Sequence, residues 1–182
     1  MPSRAPWFTG MRMSEAHAAL EVVVLVGIPA SGKSTFFRER YGATHEHVSK
    51  DLIKSSRDRS DKHARLFDEA LVAGRSVVVD STNPTAEDRA AIVEIARHDE
   101  ARAVAYYFDT AVSDALRRNV RRAGRARVPD IAVHVVADRM CRPRHDEGFD
   151  ELCVVRLAEG RFSVELATTT GLARRSDRSS RG

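Results

Sequence analysis

The sequence predicts an α/β domain in which a mainly parallel sheet carries helices on both faces. Short, nearly continuous apolar segments alternate along the chain with longer segments whose apolar residues recur at helical spacing. This alternation is typical of a parallel sheet covered on both sides. In addition, the first apolar segment runs into a glycine-rich loop that precedes a helix. A glycine-rich loop that leads into a helix N-terminus is suited to bind an anion.

The amino-terminal half is predicted to begin with a strand buried on both faces, because Glu21–Gly27 is almost uninterrupted in its apolar residues. The helical segment that ends at Ala73 is followed by Gly74, a residue that commonly ends helices. The predicted elements of this half are the strand Glu21–Gly27, the helix Lys33–Arg40, the strand His45–Ser49, the helix Asp61–Ala73 and the strand Ser76–Asp80.

The carboxy-terminal half continues the alternation. Pro84 stands near the start of its first helix, where a missing N–H costs little. The last strand, Glu151–Leu157, is a candidate for pairing with Phe162–Ala167. The predicted elements before it are the helix Pro84–His98, the strand Ala101–Asp109, the basic helix Ala111–Ala123 and the helix Pro129–Cys141.

Length and composition indicate that the chain of 182 residues forms one domain with flanking segments. We expect a loose extension over 1–20, the folded domain over 21–170 and a disordered basic tail over 171–182. No apolar run is long enough to span a membrane, and the N-terminus lacks a signal-peptide pattern. We therefore expect a cytoplasmic protein without a membrane partner. Cys141 and Cys153 are expected to be reduced, with no disulfide partner.

The charge balance allows an anionic ligand without requiring one. The formal net charge is +4 and the sequence pI is about 9.4. Arginine greatly outnumbers lysine, which a GC-rich genome would also produce. Charge alone therefore does not identify a partner.

The glycine-rich loop Gly27–Ser34 matches the Walker A pattern G-x-x-x-x-G-K-[ST]. Its N–H groups can converge on phosphates, Lys33 can support the β- and γ-phosphates, and Ser34 can offer a hydroxyl to Mg²⁺. The pattern predicts a P-loop NTPase fold that binds ATP and Mg²⁺. The residues predicted to contact the nucleotide are Gly27, Pro29, Ala30, Ser31, Gly32, Lys33, Ser34 and Thr35.

Among P-loop proteins, a phosphotransferase fits best. A GTPase switch would carry Asp-x-x-Gly and Asn-Lys-x-Asp signatures, but Asp80 is followed by Ser81-Thr82-Asn83 and no Asn-Lys-x-Asp occurs. An ATP-driven motor would normally need a longer chain. Three classes stay open: a polynucleotide kinase, a kinase of a small hydroxylated molecule such as a nucleoside or an antibiotic, and a non-enzymatic, nucleotide-gated binding module.

Two aspartates are candidates for the chemistry because each follows a predicted strand. Asp51 comes just after the second strand, at the carboxyl edge where open α/β sheets place their sites. It is a candidate general base, and a helix N-cap is the alternative. Asp80 ends the third strand and is a candidate Mg²⁺ ligand together with Ser34, with a strand-end turn residue as the alternative.

Arginines crowd the basic helix and its exit: Arg117, Arg118, Arg121, Arg122, Arg125 and Arg127. Like charges within a few helical turns repel one another, so a solvated helix face explains most of them. We expect one or two to close over the phosphates as a lid.

Together these residues resemble the polynucleotide 5′-hydroxyl kinases, and most closely the kinase domain of the bifunctional polynucleotide kinase/phosphatases. The resemblance covers Val22 to Leu157. Its motifs occur in family order: Gly27 to Thr35, Ser49-Lys50-Asp51, Asp80-Ser81-Thr82-Asn83-Pro84, Arg118-Asn119 with Arg122, Val128-Pro129, and Glu147-Gly148-Phe149-Asp150.

The resemblance implies roles for individual residues. Asp51 matches the general base that takes the proton of the acceptor 5′-hydroxyl, and Lys54 matches a basic residue near the adjacent acceptor phosphate. Arg118 and Arg122 match lid arginines that contact the nucleotide, with Arg122 on the transferring phosphates beside Lys33. Asp80 matches the acid that opens the Asp-x-Thr-Asn segment. Arg89 also fits a family position, and a helix-surface arginine is an equal reading. The implied fold has a five-stranded parallel core, and the implied partner is a nucleic acid 5′-hydroxyl end.

Overall fold

The computed structural model describes residues 20–49, 67 and 69–167. The extensions predicted over 1–20 and 171–182 lie outside the described residues, apart from Leu20. The predicted helix Asp61–Ala73 lies mostly outside them as well. Residues 69–72 are helical, and Gly74 follows with a φ of +71°, the left-handed conformation that favours glycine at a helix end.

Strands and helices alternate as predicted. The strands are β1 Glu21–Val26, β2 Glu46–Val48, β3 Val77–Asp80, β4 Arg102–Phe108, β5 Glu151–Ala158 and β6 Arg161–Leu166. The helices are α1 Lys33–Arg40, α2 Ala86–His98, α3 Val112–Val120 and α4 Asp130–Arg139. Two short 3-10 turns, Gly124–Ala126 and His145–Glu147, lie within the connections on either side of α4.

One sheet contains all these strands in the order β2-β3-β1-β4-β5-β6. The first five are parallel to one another, so the predicted α/β fold with a five-stranded parallel core is confirmed. Within the described residues the sheet has six strands, because β6 joins β5 antiparallel and places Val155 opposite Val164. The candidate pairing of Glu151–Leu157 with Phe162–Ala167 is therefore also confirmed.

The continuous apolar run of β1 is explained by a core on each face of the sheet. Val22, Val24 and Val26 pack in one buried cluster that includes residues of α2. Val23 and Leu25 point the other way, into a cluster with α1 and β4. Successive strand residues face opposite sides, so a strand buried on both faces needs apolar residues at every position.

Helix α2 begins at Ala86, two residues later than the predicted start at Pro84, because Thr85 caps it. The Thr85 hydroxyl accepts a hydrogen bond from the Asp88 N–H at 3.2 Å, and the Asp88 carboxylate accepts one from the Thr85 N–H at 3.3 Å. This reciprocal pair is a capping box. Pro84 therefore precedes the helix, and α2 leaves β3 with a defined direction. Across the described helices, none is long and apolar enough to cross a membrane.

Candidate functional site

The phosphate loop leaves β1 through a position that has room for glycine alone. A Cβ atom at Gly27 would lie 2.9 Å from the Phe108 Cβ and 3.0 Å from the Ser31 Oγ. The Gly27 N–H donates to the Thr82 carbonyl at 3.1 Å, which ties the loop to the segment after β3. Gly32, with a φ of +106°, precedes α1 and lets the loop turn into the helix.

Lys33 directs its charge back into this loop. Its side chain is 8% exposed, and its Nζ donates to the Gly27 and Ile28 carbonyls at 2.8 Å each and to the Ser31 hydroxyl at 3.3 Å. A buried ammonium needs such partners because desolvation is costly. The loop therefore holds a fixed positive charge at the N-terminus of α1, where an anion is favoured.

Ser34 and Asp80, the predicted Mg²⁺ ligands, are in direct contact. The Ser34 hydroxyl donates to Asp80 Oδ2 at 2.7 Å, and Asp80 is 6% exposed. Burial alone would raise the pKa of Asp80, but hydrogen bonds from His47 and Ser34 and the nearby Lys33 charge lower it below its ordinary value. The pair thus presents a hydroxyl and an ionised carboxylate, the oxygen ligands that Mg²⁺ prefers, and the residues fit this ion.

His47 completes this contact, although the sequence analysis did not single it out. Its Nε2 lies 3.2 Å from Asp80 Oδ2, and its ring stacks on Phe37 of α1 with centroids 4.1 Å apart and an interplanar angle of 15°. The residue lies in the middle of β2, opposite Val78 of β3. The sequence signal was a histidine within a predicted strand. It points to a contact with Asp80 only once β2 and β3 are known to be neighbours.

Of the two predicted lid arginines, the structure places Arg118 against the phosphate loop. Its Nε donates to the Ala30 carbonyl at 2.9 Å. Its Nη2 is buried and has no hydrogen-bond partner within the described part of the chain. Burial is the main reason why the pKa of Arg118 lies below its ordinary value. A desolvated guanidinium with an unused donor beside a phosphate loop is suited to bind an anionic ligand.

Arg122 faces its own turn. Its Nη1 donates to the Ala126 carbonyl at 3.2 Å, so the structure does not bring it to the loop, and its contact with the transferring phosphate stays a prediction. Arg117 pairs with Asp114 and is 76% exposed, as a solvated helix face predicts. The exposed Arg117 agrees with the expected solvated helix face, and the lid role of Arg118 and Arg122 stays a prediction.

Asn119 anchors the segment between α3 and α4, which carries the predicted lid residue Arg122. The side chain is fully buried. Its amide donates to the Val128 carbonyl at 2.7 Å and to the Asp130 carboxylate at 2.9 Å, and its oxygen accepts the Val128 N–H at 3.1 Å. These bonds close the loop that carries Arg122. The Arg118-Asn119 and Val128-Pro129 motifs therefore belong to one structural unit.

A cavity of about 410 Å³ opens beside Arg118. Its volume lies in the range of small-ligand sites. It is bounded by the end of β4, the start of α3 and the β5–β6 hairpin, and its lining includes Asp109, Asp114, Arg118, Arg156 and Leu157. Arg118 lines this cavity and also donates to the Ala30 carbonyl of the phosphate loop, so the cavity and the loop share this residue.

Arg89 is a buried clamp, so the reading of it as a helix-surface residue is wrong. It is fully buried and forms a bidentate pair with Glu147, with Nε–Oε2 at 2.7 Å and Nη2–Oε1 at 2.8 Å. Its Nη1 donates to the Asn83 carbonyl at 2.9 Å and to the Cys141 carbonyl at 3.1 Å. Asn83 in turn donates to the Leu25 carbonyl at 2.8 Å. The clamp therefore supports the segment on which the phosphate loop rests.

Replacing Arg89 with leucine is expected to lower the free energy of unfolding by about 3–5 kcal/mol, because Glu147 would be left without its buried partner. Urea unfolding would measure this change. Arg75→Leu is the control, since Arg75 forms a half-exposed pair with Glu46 at 3.5 Å and such pairs contribute little. Equal stability of the Arg89 variant and the control would contradict the clamp.

The Glu-Gly-Phe-Asp motif has a structural explanation in the same region. Glu147 binds Arg89, and Phe149 is buried in the core. Gly148 has a φ of +97°, and the Asp150 carboxylate accepts the Ala103 N–H at 2.8 Å. The motif thus fixes the entry of β5 beside β4.

Other predicted residues lie outside the geometry described above. Asp51 and Lys54 are outside the described residues, so their roles stay predictions. Cys141 is exposed, Cys153 is buried, and both are free thiols.

Comparison with known proteins agrees with this site. A family model described as an AAA domain matches residues 22–143, which include the phosphate loop, Asp80, Arg118 and Arg122. The bifunctional polynucleotide phosphatase/kinase of Schizosaccharomyces pombe is 34% identical over 133 residues, covering 71% of this chain and 32% of that protein. The resemblance indicated by the motifs is thereby confirmed, and the chain spans about a third of that relative's length.

Solved structures share the fold. A chain of the Pnkp1/Rnl/Hen1 RNA repair complex has a TM-score of 0.57 at 21% identity, over 70% of this chain and 46% of that chain. A gluconokinase from Sinorhizobium meliloti 1021 has a TM-score of 0.54 at 19% identity, over 76% and 83%. The relative and this neighbour are kinases by name, in agreement with the predicted enzyme class, an ATP-dependent kinase. The phosphate loop, its neighbouring acid and the matched span together show that the chain belongs to the AAA-domain family of P-loop proteins.

Proposed function

We propose that this chain is an ATP-dependent kinase that transfers the γ-phosphate of ATP to the 5′-hydroxyl end of a nucleic acid. The observation that carries the nucleotide-binding part of this proposal is the convergence of Lys33, Ser34 and Asp80 at the end of β1, and the similar proteins that are kinases by name support phosphoryl transfer. The nucleic-acid acceptor is supported by the similarity to the polynucleotide phosphatase/kinase.

The donor side follows from the described contacts. The N–H groups of the loop and the Lys33 ammonium bind the phosphates, and Arg118 connects the loop to the cavity, which would receive the base. Ser34 and Asp80 would hold Mg²⁺, which neutralises charge on the β- and γ-phosphates when it is bound. On the adenine side, the walls of the cavity would limit the movement of the nucleotide.

The acceptor side rests on the position of β2. Its last residue, Val48, pairs with Val79, the neighbour of Asp80. Asp51 follows Val48 by three residues in the sequence. Asp51 would take the proton from the 5′-hydroxyl while the oxygen forms a bond to the γ-phosphorus. The bond from that phosphorus to the β,γ-bridging oxygen breaks, and ADP leaves.

Two other functions remain as alternatives. The gluconokinase shares the fold over most of its length, which favours a kinase of a small hydroxylated molecule as the second candidate. A nucleotide-gated binding module would hydrolyse ATP slowly and without dependence on an acceptor. Labelled ATP offered with 5′-hydroxyl RNA and DNA oligonucleotides, and separately with a panel of nucleosides, sugars and antibiotics, distinguishes the three. If small molecules were labelled and neither oligonucleotide were, the polynucleotide assignment would be rejected.

Salt dependence provides a quantitative test of the acceptor. Each phosphate contact releases counterions, so the apparent affinity for an oligonucleotide should fall steeply with salt, whereas a neutral nucleoside should show little slope. Lys54→Ala should raise the KM for the oligonucleotide and reduce the slope by about one contact, with ATP binding unchanged. Arg75→Ala is the charge-matched control. A slope unchanged by the Lys54 substitution would remove this residue from the acceptor site.

A further inference from the structure

His47 is placed to control the orientation of Asp80 from outside the predicted ligand set. Two side-chain donors converge on the same carboxylate oxygen, Oδ2: the Ser34 hydroxyl at 2.7 Å and the His47 Nε2 at 3.2 Å. The hydroxyl comes from α1 and the imidazole from β2. Two donors from different elements restrict a carboxylate more strongly than one does, because rotation of the group would break both bonds.

The tautomer of His47 follows from its partner. An ionised carboxylate has no hydrogen to donate, so Asp80 in that form accepts at this contact. The His47 Nε2 must therefore carry the hydrogen atom. The neutral ring can make this bond, so the contact needs no additional charge.

The His47 ring is held in place by packing as well as by its hydrogen bond to Asp80. Phe37 of α1 is 8% exposed and lies parallel to the imidazole at 4.1 Å. The backbone of His47 is fixed by the pairing of β2 with β3. The histidine thus connects the strand next to Asp80, the helix that carries Ser34 and the carboxylate between them.

We propose that His47 is a positioning residue that orients Asp80 for the metal–nucleotide complex. The proposal rests on the proposed function, in which Ser34 and Asp80 hold Mg²⁺. A neighbour that orients a metal ligand typically contributes 10–100-fold to metal affinity. Loss of this hydrogen bond should weaken binding of the metal–nucleotide complex and leave metal-free nucleotide binding unchanged.

Two substitutions separate the hydrogen bond from the stacking. His47→Phe keeps a ring against Phe37 but removes the donor, and His47→Gln keeps a donor of similar reach but removes the ring. His45→Phe is a matched control, because His45 makes a similar contact with Glu21 at 3.3 Å and an edge contact with the Tyr41 ring at 4.6 Å. His45 does not contact Asp80.

The experiment measures binding of ADP to the full chain by calorimetry, with Mn²⁺ and with excess chelator, and binding of Mn²⁺ by electron paramagnetic resonance. For His47→Phe we expect about a tenfold or greater loss in the presence of Mn²⁺ and no change in chelator. His47→Gln and His45→Phe should resemble the wild type.

Each other outcome is decisive. Equal losses with and without Mn²⁺ for His47→Phe, or no loss at all, would overturn the positioning role while leaving the proposed kinase intact. A loss in His47→Gln equal to that in His47→Phe would show that a donor at this position does not account for the effect, and would also overturn it. Absence of Mn²⁺-dependent nucleotide binding in the wild type would overturn both the inference and the proposed function.

Discussion

Replacing Asp51 with asparagine is expected to slow phosphoryl transfer about 10²–10⁴-fold, the usual contribution of a positioned general base. Asparagine keeps the size of the side chain and much of its capping ability, but it cannot accept the proton of the 5′-hydroxyl. The melting temperature should barely move. Single-turnover transfer to a short oligonucleotide and a thermal melt measure the two quantities.

The same variant distinguishes the base from the alternative role of Asp51 as a helix cap. A cap is a stability element, so Asp51→Asn would then retain almost the full rate. Asp51→Ala removes both functions and should lower stability by about 1 kcal/mol if a cap is present. A near-wild-type rate for the asparagine variant would refute the catalytic role.

Lys33→Ala is expected to reduce transfer by on the order of a hundredfold or more, because it removes a preorganised charge aimed at the β- and γ-phosphates. The structure adds a second reason, since the Lys33 Nζ also bonds the Gly27 and Ile28 carbonyls that shape the loop. Lys33→Met keeps the length of the side chain and removes the charge together with these hydrogen bonds. Steady-state rates of labelled phosphate transfer measure the effect.

Removal of Mg²⁺ should abolish transfer in the same assay. Arg75→Ala, which removes a surface cation paired with Glu46, should leave the rate unchanged. Full activity in excess chelator, or a Lys33→Met rate equal to that of the control, would contradict the assignment of the phosphate site.

The local features of this protein were predictable because each depends on residues that are close in sequence. The apolar run of β1, the glycine-rich loop and the position of Lys33 and Ser34 at the start of α1 all follow from spacing within Glu21–Arg40. The turn at Gly74 follows from one residue type. The boundaries were less accurate. α3 ends at Val120, three residues before the predicted end at Ala123.

The roles of the polar residues required the arrangement of the strands. Nothing in the periodicity of α2 shows that Arg89 is buried, because an arginine on an amphipathic helix is usually solvated. Its burial depends on Glu147, which lies 58 residues away. Similarly, His47 appears as an ordinary strand residue until β2 is placed beside β3. Asp80 had two readings from the sequence, and its contact with Ser34 favours the metal role.

The α/β class, the phosphate loop and the family could be predicted from the amino-acid sequence, because those signals are carried by consecutive residues whose spacing is fixed by helix and strand geometry. Which side chains meet depends on the tertiary structure. The order β2-β3-β1-β4-β5 places Asp80 against Ser34 across 46 residues, His47 against Asp80 across 33, and Arg118 against Ala30 across 88. Parallel strands end at a common edge, but their order depends on packing of the whole core, which no local pattern encodes.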